Sequence, residues 1–206
     1  MANSDAKIIV FAKPPISGQC KTRLGRKLGD MRAAAIHRQL AENTLHNIHQ
    51  SNLATLEIHT ANATNHPWFA QMRRRYACPV RPQRAGDLGQ RMFWAARQAL
   101  QSAPTCMIAG TDCPVLSAHH LRAMLAELNA GKDAVFLPSE DGGYALIGLR
   151  KAEPGIFRNI DWGTSKVMQQ TRQRLRRNSL SWSELAPVWD IDEAADYYRA
   201  RKLNLL

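Results

Sequence analysis

No run of apolar residues in the chain is long enough to cross a bilayer, and the amino end lacks the basic-then-apolar order of a secretory leader. A cytoplasmic protein with no membrane span is expected. Cysteine is sparse: Cys20, Cys78, Cys106 and Cys113 show neither paired zinc spacing nor the dense framework of small secreted domains, so the thiols are expected to be reduced. The seven histidines pair at no metal-ligand spacing. Linkers, internal repeats and low-complexity segments are missing as well. With 206 residues, 45% of them apolar, the chain can bury one substantial core, and a single domain over residues 1–206 is the natural reading.

Acidic residues are the other shortage. Asp and Glu number 17 against 28 Lys and Arg, a net charge of +11, which suits an anionic partner: nucleic acid, an anionic membrane surface or a small phosphorylated substrate. Part of the excess lies in two clusters, Arg73-Arg74-Arg75 and Arg172, Arg174, Arg176 and Arg177. Charge runs of this kind are commonly solvated helix faces. A non-catalytic basic protein gripping nucleic acid through them would need an aromatic-interleaved basic surface or a known motif, and neither is visible.

What is present is an alternation of strand and helix patterns. Residues 6–12 hold the continuous run Ile8-Ile9-Val10-Phe11, as in a strand covered on both faces. A loop over 13–29 follows, then helical spacing from Met31 to about His49 with Asp30 as a candidate N-cap. Further strands are predicted over 53–60, 79–83, 105–109, 134–138 and 144–149, and a short one over 188–190. Further helices are predicted over 67–76, 88–101, 118–129, 164–177 and 193–203, Pro67 suiting a first helical turn and Ser117 a cap. Such alternation defines a three-layer α/β/α sandwich with a mostly parallel sheet, to which the segment after Asp141-Gly142-Gly143 adds an antiparallel element.

In open sheets of this kind ligands sit at the carboxyl ends of the strands, and the chemistry-bearing residues fall there. The loop after the first strand carries Lys13, Lys21 and Arg23, each able to reach a phosphate oxygen, with Gly18 allowing close backbone approach; the glycine-to-lysine spacing is not that of a Walker A loop. Asp112 follows a buried strand and precedes a proline, a position for binding Mg²⁺ or Mn²⁺ across a diphosphate, or simply for capping the turn. Asp141 and Asp192 are its candidate partners. Asp141-Gly142-Gly143-Tyr144 combines a carboxylate with backbone freedom, and Asp-Gly is also a hairpin turn signal. Trp162 either stacks on a ring or fills the core. In Asp190-Ile191-Asp192 one carboxylate reads as a helix cap and the other as a ligand.

Five strings together resemble a known family: Phe11-Ala12-Lys13-Pro14 with Gly18-x-x-Lys21-Thr22-Arg23-Leu24, Gly86-Asp87-Leu88-Gly89-x-Arg91-Met92, Gly110-Thr111-Asp112-Cys113-Pro114, Asp141-Gly142-Gly143-Tyr144-x-Leu146-Ile147-Gly148-Leu149, and Asp190-Ile191-Asp192. They are similar to a bacterial family of GT-A-type glycosyltransferases in the nucleotide-diphospho-sugar transferase superfamily. The resemblance implies a Rossmann-like amino-terminal half for the nucleotide and a carboxy-terminal half for the acceptor. In that superfamily the first loop lies against the nucleotide phosphates, which maps onto Gly18, Lys21 and Arg23, and the aspartate of a short metal motif maps onto Asp112. With the residues read above, Asp112, Asp141 and Asp192 are the catalytic candidates, Asp112 and Asp192 the metal ligands, and Lys13, Gly18, Lys21, Arg23, Asp87, Arg91, Gly142, Gly143, Tyr144 and Trp162 the nucleotide or phosphate contacts. The chain departs from the family at Thr111-Asp112-Cys113, which lacks the second carboxylate of Asp-x-Asp, and at Glu193-Ala194, where Thr-Pro is more frequent. Glycosyl transfer from a nucleotide sugar is the leading expectation. Nucleotidyl transfer from a nucleoside triphosphate to a phosphorylated acceptor is the alternative, because Lys21-Thr22-Arg23-Leu24 also resembles the loop of molybdenum-cofactor and phospholactate nucleotidyltransferases.

Overall fold

The computed structural model describes residues 6–61 and 64–206. Among them, β1 (Ala6–Ala12), β2 (Thr55–Thr60), β3 (Val80–Pro82), β4 (Thr105–Ala109), β5 (Ala134–Pro138), β6 (Tyr144–Leu149) and β7 (Trp182–Glu184) form one sheet in the order β3-β2-β1-β4-β6-β5-β7. β6 runs antiparallel to β4 and β5, and the remaining pairs are parallel. The helices are α1 (Thr22–Leu28), α2 (Asp30–Ser51), α3 (Pro67–Tyr76), α4 (Leu88–Ala99), α5 (Ala118–Asn129), α6 (Val167–Arg177) and α7 (Ala194–Lys202).

Strand alternation sorts the core into two layers. Ile8 and Val10 of β1, Ile58 of β2, Met107 of β4 and Val135 of β5 face α2, α3 and α5. Ile9, Ile108, Phe136 and Ile147 face α4 and α6. This is the expected three-layer sandwich with one antiparallel strand. A third, smaller cluster joins Leu24 of α1, Ile36 and Leu40 of α2, Trp189 and Ile191, and Tyr197 and Ala200 of α7.

Three segments differ from the sequence expectation. The stretch 13–29 is not all loop, because α1 occupies its second half; at two turns, with only Leu24 and Gly25 buried, it is too short to show an apolar stripe. Asp30 is the first helical residue of α2, and Gly29 with φ 84° takes the capping position. Residues 188–190 make no strand, only an isolated bridge between Ser139 and Val188, and the edge strand is β7, Trp182–Glu184. The two arginine clusters are partly engaged with their own surroundings. Arg75 lies over the Tyr76 ring, Arg172 forks onto Glu184, and Arg176 lies over Trp182.

Remote from the strand ends, Glu57 of β2 sits among His59, Arg81 and Lys7 at 3.2, 3.1 and 3.4 Å. The His59 hydrogen bond, then the Lys7 and Arg81 charges, outweigh burial and hold its carboxyl down to about 2. A depressed carboxyl stabilises the fold above its unfolded value of 4.5 and ceases to do so as pH falls through about 2. Glu57→Gln is therefore expected to cost about 1 kcal/mol at neutral pH. In urea titrations the difference from the parent should close between the two values.

Candidate active site

The strand order reverses between β1 and β4, so the crevice at their carboxyl ends is the topological switch point of the sheet, where α/β proteins bind ligands. Val10 pairs with Ala109, so the loop beginning at Lys13 and the turn Gly110-Thr111-Asp112 leave the sheet side by side. Ala109 pairs with Leu146 of the antiparallel β6, which carries Asp141 to Tyr144 to the same edge. A third segment arrives from the end of the chain. The Ile191 amide donates to the Asp112 carbonyl at 3.0 Å, and buried Trp189 and Ile191 hold residues 190–192 against α1 and α7.

At the meeting point stands Lys21, in the left-handed conformation (φ 49°) that caps α1. Its ammonium lies 2.7 Å from Asp112 Oδ1 and 2.9 Å from Asp192 Oδ1, and its side chain is only 4% exposed. The contact to Asp192 is aligned as a hydrogen bond. Burial acts to lower the Lys21 pKa, and the two carboxylates overcome it, so the ammonium stays charged with a raised pKa.

This bridge lies in the wall between two adjoining compartments. One, of about 490 Å³, is lined by Lys13, Lys21, Arg23 and Arg91 together with His37 and Gln83. The other, of about 410 Å³, is lined by Asp112, Asp141, Asp190 and Asp192, with Tyr144 and Trp162 as aromatic walls. Phe11, Arg23, Leu88, Gly110, Asp112 and Asp192 border both. His37 is buried with Nε2 3.1 Å from the Lys13 carbonyl, and burial lowers its pKa. Nε2–H must therefore donate to that carbonyl, which braces the start of the cationic loop. In the acidic compartment, Asp141 accepts from the Ser139 hydroxyl and, at 2.9 Å, from the Gly143 amide. Asp190 is pushed up to about 7 by burial, then by the Asp112 and Asp141 charges, against the pull of Lys21. Burial raises the Tyr144 phenol, whose hydroxyl meets Met92 Sδ at 3.9 Å while its ring meets Trp162 edge-on.

Lys13, Lys21, Arg23, Arg91, Asp112, Asp141, Asp192, Gly143, Tyr144 and Trp162 thus line one cleft. Three candidates stand apart from its lining. Asp87 forms a capping box at α4, accepting from the Gln90 amide at 2.7 Å while the Gln90 side chain accepts from the Asp87 amide. Gly18 serves a turn at φ 75°, and Gly142 (φ 88°) presses against the Ser165 backbone. Asp190, which lines the acidic compartment, is read from sequence only as one of a pair with Asp192, one to cap a helix and the other to bind, and Asp192 alone is named there as a ligand. Its signal was the alternation in Asp190-Ile191-Asp192: with Ile191 buried, an extended chain turns both carboxylates the same way. Neither caps α7, which Glu193 and Asp196 cap between them.

The sheet topology is that of the nucleotide-diphospho-sugar transferase fold, with the cleft at its switch point, and the solved structures that share the fold include transferases. The chain belongs to the bacterial family described as "Uncharacterized protein conserved in bacteria (DUF2064)", which matches residues 44–164. The crystal structure of a "putative nucleotide-diphospho-sugar transferase" from Desulfovibrio desulfuricans G20 is 30% identical with a TM-score of 0.84, covering 92% of this chain and 83% of that one. A nucleotidyl transferase from Methanothermobacter thermautotroptrophicus shares the fold at 13% identity and TM-score 0.62, covering 97% of each chain. So does Rv0371C from Mycobacterium tuberculosis H37Rv, solved in complex with manganese, at 14% identity and TM-score 0.55 over 94% of this chain and 96% of that one. No curated protein matches.

Proposed function

We propose that the chain transfers a glycosyl group from a nucleotide-diphosphate sugar to a hydroxyl-bearing acceptor. The observation that carries this reading is the division of the cleft by charge. Lys13, Lys21 and Arg91 line only the compartment suited to a diphosphate and Asp141 and Asp190 only the space left for the acceptor, with Arg23, Asp112 and Asp192 on the wall between them. A phosphorylated acceptor, the form in which the nucleotidyl-transfer alternative takes it, would enter against four carboxylates with Arg23 the only lining cation among the described residues. A neutral hydroxyl compound meets no such opposition. Nucleotidyl transfer stays as the second reading, because three cations on the loop suffice for a triphosphate and the Methanothermobacter enzyme has the same fold.

In the leading reading Lys21 and Arg23 neutralise charge growing on the departing diphosphate. Asp141 or Asp190 takes the acceptor proton, and Tyr144 and Trp162 wall the acceptor. Mg²⁺ or Mn²⁺ fits the donor set: Asp112 and Asp192 already converge on one cationic point, the Lys21 ammonium, and hard cations take such oxygens with phosphate and water completing the shell. Bound there, the ion would add neutralising charge beside the diphosphate.

A thermal-shift panel of nucleoside triphosphates and nucleotide sugars, with and without Mn²⁺, tests the reading. A nucleotide sugar with Mn²⁺ is expected to raise Tm most. At a ligand excess of about 100 Kd, linkage contributes about 2.7 kcal/mol, or about 5–10 °C for a chain of this size. A larger shift with a triphosphate selects nucleotidyl transfer, and no metal-dependent response to either class overturns both.

A further inference from the structure

We propose that Lys21 is the resident cation of the free protein and gates the divalent-cation position, so that Asp112 and Asp192 hold a metal ion more tightly once a bound diphosphate draws the ammonium into its own compartment. The identity of the ligand rests on the transferase reading; the gate itself rests on the geometry of three side chains.

That geometry leaves one place for two cations. The ammonium sits within 2.9 Å of an oxygen of each carboxylate. A Mg²⁺ ion held by both carboxylates, through these oxygens or their partners, would stand about 2.0–2.1 Å from them and close against the ammonium. An ammonium left in place would adjoin it with like charge. The backbone of Lys21 cannot retreat, because it caps α1, and Leu24 one turn on is fully buried. The side chain can: Lys21 also lines the cationic compartment, which lies open beside it. Charge balance gives the exchange its direction. Asp112 and Asp192 carry two negative charges against the single charge of Lys21. A divalent ion would balance both and free the ammonium for a phosphate. Metal and diphosphate therefore assist each other, and the assistance must be reciprocal.

Mn²⁺ binding to the full chain, measured by equilibrium dialysis with and without each of ADP, GDP, CDP and UDP, tests the gate. Binding is corrected for Mn²⁺ complexed by free nucleotide. The wild type is expected to bind Mn²⁺ about tenfold more tightly when the preferred diphosphate is present, within the usual range for coupled sites. Lys21→Met is expected to bind Mn²⁺ alone about tenfold more tightly than the wild type, and Asp192→Asn on that background to lose the gain. Equal Mn²⁺ affinity in wild type and folded Lys21→Met overturns the proposal, as does wild-type affinity that diphosphate leaves unchanged while the nucleotide itself binds. Should Lys21→Met fail to fold, Lys21→Gln is measured in its place, because a bound diphosphate ligates the ion directly and only removal of the ammonium isolates the gate. If Lys21→Met gains Mn²⁺ affinity and no diphosphate binds the wild type, the gate stands and the nucleotide reading falls.

Discussion

Asp112→Ala is expected to abolish the metal-dependent part of ligand binding and to slow transfer by about 10²–10³-fold, the usual cost of losing one preorganised electrostatic contact, while leaving the chain folded. Two observations separate function from stability. The Ile191 amide bonds to the Asp112 carbonyl, which alanine keeps, so residues 190–192 stay clipped in place. Lys21 also retains Asp192 at 2.9 Å and is not left as an unpaired buried charge. Removing a partner from a fully buried pair costs about 3–5 kcal/mol. Here the Asp112 side chain is 45% exposed, and solvent screening reduces the loss to about 1 kcal/mol. Calorimetric titration with a nucleotide sugar, with and without Mn²⁺, beside a thermal melt, measures both. If binding and its metal dependence survive, Asp112 is a turn residue and the metal reading falls.

The arrangement of strands and helices was open to sequence reasoning where one local signal dominated. The bounds Pro67 to Tyr76 of α3 follow from a proline at the first helical position and an apolar face beyond it. The buried strands β4 and β5 follow from short unbroken apolar runs. α1 and β7 carry no such signal: one is two turns long, and the other is a half-buried edge strand of three residues.

The site was legible as a set of loop positions, because in this sheet class functional residues collect at strand ends. Its contacts were not. The ion pairs joining Lys21 to Asp112 and Asp192 depend on α1, α2 and α7 closing a small core around Trp189 and Ile191, and Lys21 stands 171 residues from Asp192. Local capping chemistry misleads in both directions. Asp87 lies in a string shared with the resembled family and serves its own helix, whereas Asp192 stands just before the cap of α7 and is released for the cleft by Glu193 and Asp196.

Gly142→Ala is expected to destabilise the chain by about 3 kcal/mol, lowering Tm by about 6–12 °C, and to weaken acceptor binding more than diphosphate binding. Gly142 has φ 88°, a conformation that costs an L-residue about 1–2 kcal/mol. The added methyl would also meet the carbonyl oxygen of Ser165 at 2.2 Å and its Cα at 2.7 Å, backbone atoms that no side-chain rotation removes. Either the turn between β5 and β6 or the segment entering α6 must then shift, and the Gly142 carbonyl accepts from the Met168 amide at 2.8 Å across that junction. The turn positions Asp141 through the Gly143 amide, and the opposing segment carries Trp162 and Thr164, so the shift falls on the acidic compartment from both sides. Gly163 supplies the control: at φ 79° it bears a similar conformational cost, but its added methyl meets nothing within 4 Å. Gly163→Ala should therefore lose only about 1–2 kcal/mol. The difference between the two melting temperatures isolates the close approach of Gly142 to Ser165. If the two variants melt together, that approach does not constrain the turn, and the placement of Asp141 beside the acceptor must rest on the Ser139 and Gly143 hydrogen bonds alone.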